Sequence, residues 1–142
     1  MSSAATSRIA GDRPVPDIVT ELPGPKAREH VAFDESWTSP SLPRAYPIVP
    51  VRGEGLTVED IDGNLFLDFA AGIAVCSTGH AHPEVVRAVK DAADRFLHIS
   101  SDYWHEGQVR LAERLAGLAP MGEDAMVFLA QSGTESDSAR EG

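Results

Sequence analysis

Asp60-Ile-Asp-Gly-Asn-Leu-Phe-Leu-Asp-Phe-Ala-Ala-Gly-Ile-Ala-Val-Cys-Ser-Thr-Gly-His-Ala-His-Pro83 is the stretch from which the fold is read. Asp62-Gly63-Asn64 is a turn signal, because Gly and Asn take positive φ at little steric cost and an Asp side chain bonds the backbone two residues on. Apolar residues flank it, Leu56 and Val58 on one side and Leu65, Phe66, Leu67 and Phe69 on the other, so a hairpin is expected. With Val49 to Arg52 ahead of Gly53-Glu54-Gly55, the expectation becomes a meander of three short strands: 49–52, 56–60 and 65–69. Gly72 and Gly79 then break the run. Pro83 suits the first position of a helix.

Downstream, Val85, Val86, Val89, Ala92, Ala93, Phe96 and Leu97 recur at three- and four-residue spacing with charges opposite, which predicts an amphipathic helix of about four turns. A second helix is predicted from Glu106, with Val109, Ala112, Leu115 and Ala116 on one stripe and Gly117, Pro120 and Gly122 ending it. Ala125 to Ala130 is an unbroken apolar run bounded by turn residues, the pattern of a strand buried on both faces of an α/β sheet.

Upstream, eight of the ten prolines fall before residue 51. That predicts a proline-rich extended arm over 1–50, adding little to a core and allowing at most a short helical turn from Ala27 to Phe33. Met1 to about Asp12 is small and polar, as in a disordered start. The division is then an arm (1–50), a meander (51–82), and helices with one sheet strand (83–142).

The 142 residues carry a net charge of -10 with neither a basic stripe nor an acidic tail, which argues against nucleic acid and anionic membranes as partners. Cys76 is the single cysteine, so no internal disulfide is possible and a reducing cytoplasmic location is expected. No apolar run has the length of a membrane span.

Three constellations bear on chemistry. Gln131-Ser132-Gly133-Thr134-Glu135 stands where a strand hands over to a helix, so free backbone N–H groups and the helix dipole converge, and Gly133 lets a phosphate approach. Ser132 and Glu135 equally form a capping box that needs no ligand. Cys76, His80 and His82 have a spacing that suggests a metal site, but zinc needs three or four ligands of matching geometry and no further Cys is available; His80 reads as a hydrogen-bonded loop or core histidine and His82 as the residue entering a helix. Ser100 to His105 groups a carboxylate, a phenol, an indole and an imidazole, which suits a binding wall or, more simply, an aromatic loop covering helix ends.

Taken together, Asp60 to Phe69, Gly72 to Val75, Gly79 to Val86 and Ser132 to Glu135 resemble the subgroup III pyridoxal-phosphate aminotransferases of fold type I. Leu22-Pro23-Gly24-Pro25-Lys26 and Arg44-Ala45-Tyr46-Pro47 are similar to the amino-terminal region of members acting on 4-aminobutyrate or acetylornithine. The resemblance implies an α/β fold, with a small meander plus helices and then the first strand of the large-domain sheet. It implies pyridoxal 5'-phosphate as cofactor, and an amino acid and a 2-oxo acid as substrates of a homodimer. By position, Ser132, Gly133 and Thr134 are expected to hold the cofactor phosphate, and Ile73 and Tyr103 to line the substrate pocket. The Schiff-base lysine of the family has no counterpart here: Lys26 sits in the arm and Lys90 on the polar face of a helix. No catalytic residue and no metal ligand is therefore assigned. The chain reads as an inactive amino-terminal fragment that ends just past Glu135, where the family continues into a long helix. A racemase or aminomutase of the same family, and a non-catalytic remnant, stand as alternatives.

Overall fold

The structure, a computed structural model, describes residues 8–122 and 124–138. It divides into two compact units, 1–95 and 96–142. Residues 1–7 of the expected disordered start and the tail from 139 on lie outside the described residues.

In the first unit β1 (Pro50–Glu54), β2 (Thr57–Asp60) and β3 (Leu65–Leu67) form an antiparallel sheet in chain order, as the turn signals predict. Thr57 faces Leu67 and Glu59 faces Leu65 across β2 and β3, while the β1–β2 register slips between Pro50 and Arg52. Gly55 takes φ +58 at the first corner and Gly63 φ +85 at the second. The second corner is the organising one. Asp60 Oδ1 accepts from the backbone N–H groups of Asp62 and Asn64 at 2.9 and 2.8 Å, and Oδ2 accepts from Asn64 Nδ2 at 2.8 Å. Asp60, Asn64 and Leu65 are all fully buried. The buried polar groups are tolerated because each is hydrogen-bonded.

The arm is not the loose extension its prolines suggest. Helix α1 (Pro25–Trp37) occupies the proline-free window that follows Pro25, which itself serves as an early helical residue. Its N-cap residue, Gly24, has no side chain, and the missing cap comes from the meander: Asp62 accepts from Lys26 N and Ala27 N, both at 2.9 Å. Asn64 Oδ1 accepts from Val19 N at 2.8 Å and Thr20 N at 3.0 Å, and Asp17 exchanges both backbone bonds with Leu65. Arg13 donates to Gly63 O at 2.9 Å. The arm also contributes Ala10 and Ala27, two of the three buried apolar residues found among the described residues. Glu54 takes the Arg8 and Ile9 backbone N–H groups, so order begins before Asp12.

After a one-turn element, α2 (Ala71–Ala74), comes α3 (Pro83–Ala93). It begins at the expected proline but makes three turns instead of four. Asp94 N donates to Lys90 O and Arg95 N to Ala92 O, a tightened last turn that leaves Phe96 and Leu97 beyond the helix. Of the predicted stripe, Val85, Val86, Val89, Ala92 and Ala93 lie on the helix, and Val85 and Val89 are exposed.

The second unit holds α4 (Glu106–Leu118) and the short α5 (Gly133–Ser138). His105 caps α4 by accepting from Gln108 N through Nδ1 at 3.3 Å. The run Ala125 to Ala130, expected as a buried strand, is not a strand here: Met126 is 95% and Phe128 71% exposed. A strand needs a neighbouring ladder for its backbone groups, and none of the three strands of the sheet comes from this unit.

Candidate functional site

The turn from Gln131 to Ser136 is built as a cap. Glu135 N donates to Ser132 Oγ at 3.3 Å, and Ser136 N to Ser132 O at 3.1 Å. The return arm of the box lands one residue early, because Glu135 Oε2 accepts from Gln131 N at 2.7 Å. The predicted capping box is thus present, shifted by one donor. Capping does not exhaust Ser132: its Oγ accepts from Glu135 N, and its own O–H remains a donor. A Cβ placed on Gly133 would meet nothing within 4 Å, so the backbone there is open to close approach. Hydroxyl donors on either side of an open glycine at a helix start suit a phosphate group.

Tyr103 lies in the same unit. With Ser101, Trp104, Val109, Val127 and Leu129 it lines a hollow of about 630 Å³ between the aromatic loop, one stripe of α4 and the apolar run. Leu129 also borders a smaller hollow of about 310 Å³ that reaches Gln131 and Glu135. The loop is therefore a wall of a concavity and not only a cover over helix ends. Trp104, which the sequence reading did not single out from its loop, is fully exposed at this wall.

Ile73 belongs to the first unit. It sits on α2, where Ala71, Gly72, Ile73 and Ala74 all have positive φ, of 49, 66, 61 and 62°. Three of these are not glycine, and each costs roughly 1–2 kcal/mol in the left-handed region. Ile73 is 94% exposed on this turn, an apolar side chain held out on strained backbone. The turn is closed by Ala74 N donating to Ala70 O and Cys76 N to Ala71 O, both 2.9 Å.

Asp68 and His80, neither of them assigned to the site from sequence, meet beside that turn. His80 Nε2 lies 2.5 Å from Asp68 Oδ2, which bears out the reading of His80 as a hydrogen-bonded loop histidine. The His80 contact, followed by the Ala71 and Ala70 backbone N–H groups, holds the Asp68 carboxyl below its ordinary range. A short turn motif carries no trace of this pairing, since the two residues are twelve positions apart. His82 precedes Pro83 at the entry to α3, as expected.

The aminotransferase class-III family model matches residues 40–139. The chain belongs to the class-III aminotransferases. Among class-III and related proteins, it is 40% identical over 122 residues to an alanine/serine racemase of Pyrococcus horikoshii, covering 84% of this chain and 26% of that one. To an acetylornithine aminotransferase of Caldanaerobacter subterraneus it is 47% identical over 92 residues, 65% of this chain and 23% of the other. The structure of N-acetylornithine aminotransferase from Stenotrophomonas maltophilia superposes with a TM-score of 0.65 at 34% identity, over 78% of this chain and 28% of that one. The chain spans about a quarter of the length of the curated relatives it matches. The architecture of meander plus helices is that of the fold type I pyridoxal-phosphate enzymes, and the turn at Ser132 to Thr134 fits the phosphate end of that cofactor by its donors and its open glycine. Neither lysine adjoins the turn in the sequence: Lys26 is in α1 and Lys90 in α3.

Proposed function

We propose that this chain is the amino-terminal part of a pyridoxal-phosphate-dependent aminotransferase taking an amino group from a 4-aminobutyrate-like or acetylornithine-like donor to a 2-oxo acid. The observation that carries the proposal is the open Gly133 between Ser132 and Thr134 at the start of α5, inside a class-III match. Ser132 donates its hydroxyl hydrogen to a phosphate oxygen while its Oγ continues to accept from Glu135 N, and Gly133 brings the backbone alongside. Thr134 is the second hydroxyl of the cradle. Ile73 in the first unit and Tyr103 in the second are each carried over from the family resemblance as substrate contacts. When bound, pyridoxal phosphate supplies the electron sink for the amino transfer. The 142 residues alone lack a lysine at the turn and are inactive. The active species is a homodimer in the cytoplasm, in keeping with the lone Cys76.

The test is expression of the longest reading frame that contains these residues, with pyridoxal phosphate and 2-oxoglutarate. Glutamate formation from acetylornithine or 4-aminobutyrate is expected. The 84% coverage by the Pyrococcus racemase match favours a second reading, racemisation of a small amino acid. Interconversion of D- and L-alanine without glutamate formation would select that reading over the first. The 142-residue chain itself is expected to give no saturable yellow complex with the cofactor, as measured by absorbance titration.

A further inference from the structure

Nothing in the packing of α2 explains its handedness, because none of its residues is buried. Besides its own backbone bonds, the Ser77 hydroxyl closes its far end by donating to Ala74 O at 2.9 Å, and the side chain that holds its entrance is Asp68. Asp68 Oδ1 accepts from Ala70 N at 2.8 Å and Ala71 N at 2.9 Å, fixing the entrance of the left-handed turn. Asp68 Oδ2 takes the ring of His80 at 2.5 Å. Both partners are anchored on the tip of the β1–β2 hairpin: Asp68 N donates to Leu56 O at 2.8 Å, and His80 exchanges two 2.9 Å backbone bonds with Gly55. The approach depends on missing side chains. A Cβ on Gly53 would stand 2.9 Å from His80 Cβ, and one on Gly79, at φ +87, would stand 3.0 Å from Gly55 Cα.

We propose that Asp68 is the positioning residue of the wall that carries Ile73, one oxygen holding the left-handed turn and the other tying it through His80 to the hairpin. The functional half of this rests on the reading of Ile73 as a substrate contact; the structural half stands on the contacts above. The contacts of Asp68 all run to the turn, to His80 and to the hairpin, so its role is one of position. Asn at this position still offers an Oδ1 acceptor to both N–H groups, whereas Ala offers none.

The first experiment is NMR on the full 142-residue chain, reading the strong intraresidue amide–α cross-peak that a positive φ gives Ile73. Asp68→Ala is expected to lose that peak while the Leu65 amide, bonded to Asp17 O, stays protected from exchange; Asp68→Asn is expected to keep it. A folded Asp68→Ala variant that retains the peak overturns the proposal. So does an Asp68→Asn variant that loses it, and this arm decides the matter if Asp68→Ala does not fold. The second experiment uses the longest reading frame. Asp68→Ala is expected to lower kcat/KM on the order of 10²-fold, mostly through KM for the amino donor, with Asp68→Asn restoring most of it. An unchanged KM in an active enzyme overturns the positioning role. A wild-type frame without amino transfer overturns the reading of the site instead, and the NMR result then stands by itself.

Discussion

Asn64 shows how much one side chain carries in this chain. Its Oδ1 receives Val19 N and Thr20 N from the arm, and its Nδ2 donates to Thr20 Oγ1 and Asp60 Oδ2. Replacing it with Ala leaves the buried Asp60 Oδ2 and the two part-buried arm N–H groups without that partner. We expect Asn64→Ala to cost about 2–3 kcal/mol, read as a lower urea midpoint. Asp68 adds a pH dependence. Its carboxyl is held below the ordinary range, so the folded state gains from its charged form; the gain is complete above that range and disappears as pH falls through the lowered value. Acid unfolding followed by the Ile73 resonance is therefore expected to begin at higher pH in wild type than in Asp68→Asn, once each variant is normalised to its neutral-pH stability.

At the scale of elements, α1 is the instructive case. Counting prolines across the arm hides the clear window after Pro25, and the cap on Lys26 and Ala27 comes from Asp62, 36 and 35 positions away. Asp62→Ala is expected to cost about 1 kcal/mol and to speed exchange of the Lys26 and Ala27 amides while leaving the β2–β3 ladder unchanged. The meander, α3 and α4 are legible in the sequence because their signals are local: turn residues, a proline at a helix start, a stripe at helical spacing. The run Ala125 to Ala130 is not a strand because strand formation is a statement about neighbours, which a window of six residues does not contain. The site divides along the same line. The Ser132 to Glu135 turn is readable from adjacent residues. The Asp68–His80 pair and the handedness of α2 arise only once the hairpin tip, the turn and the Gly79 loop have met.

Among the described residues of the whole molecule, apolar side chains are displayed more than they are packed. Val109 and Leu115 on α4, Val85 and Val89 on α3, and Met126 and Phe128 in the apolar run are all exposed. Apolar stripes left open along a helix offer surface to other apolar groups. The 142-residue chain is expected to bind 1-anilinonaphthalene-8-sulfonate strongly at neutral pH, and the longest reading frame to bind far less; equal fluorescence per mole from the two would refute this. No helix among the described residues is long and apolar enough to cross a membrane.

The corner from Asp60 to Asn64 sets an order of assembly. Val19, Thr20, Lys26 and Ala27 dock onto groups 35 to 45 positions further along, and those groups take their geometry only when the β2–β3 hairpin has closed. Contacts at such separation form late compared with a hairpin. The segment that leaves the ribosome earlier must wait for one made later, and until then its backbone is open to any competing partner.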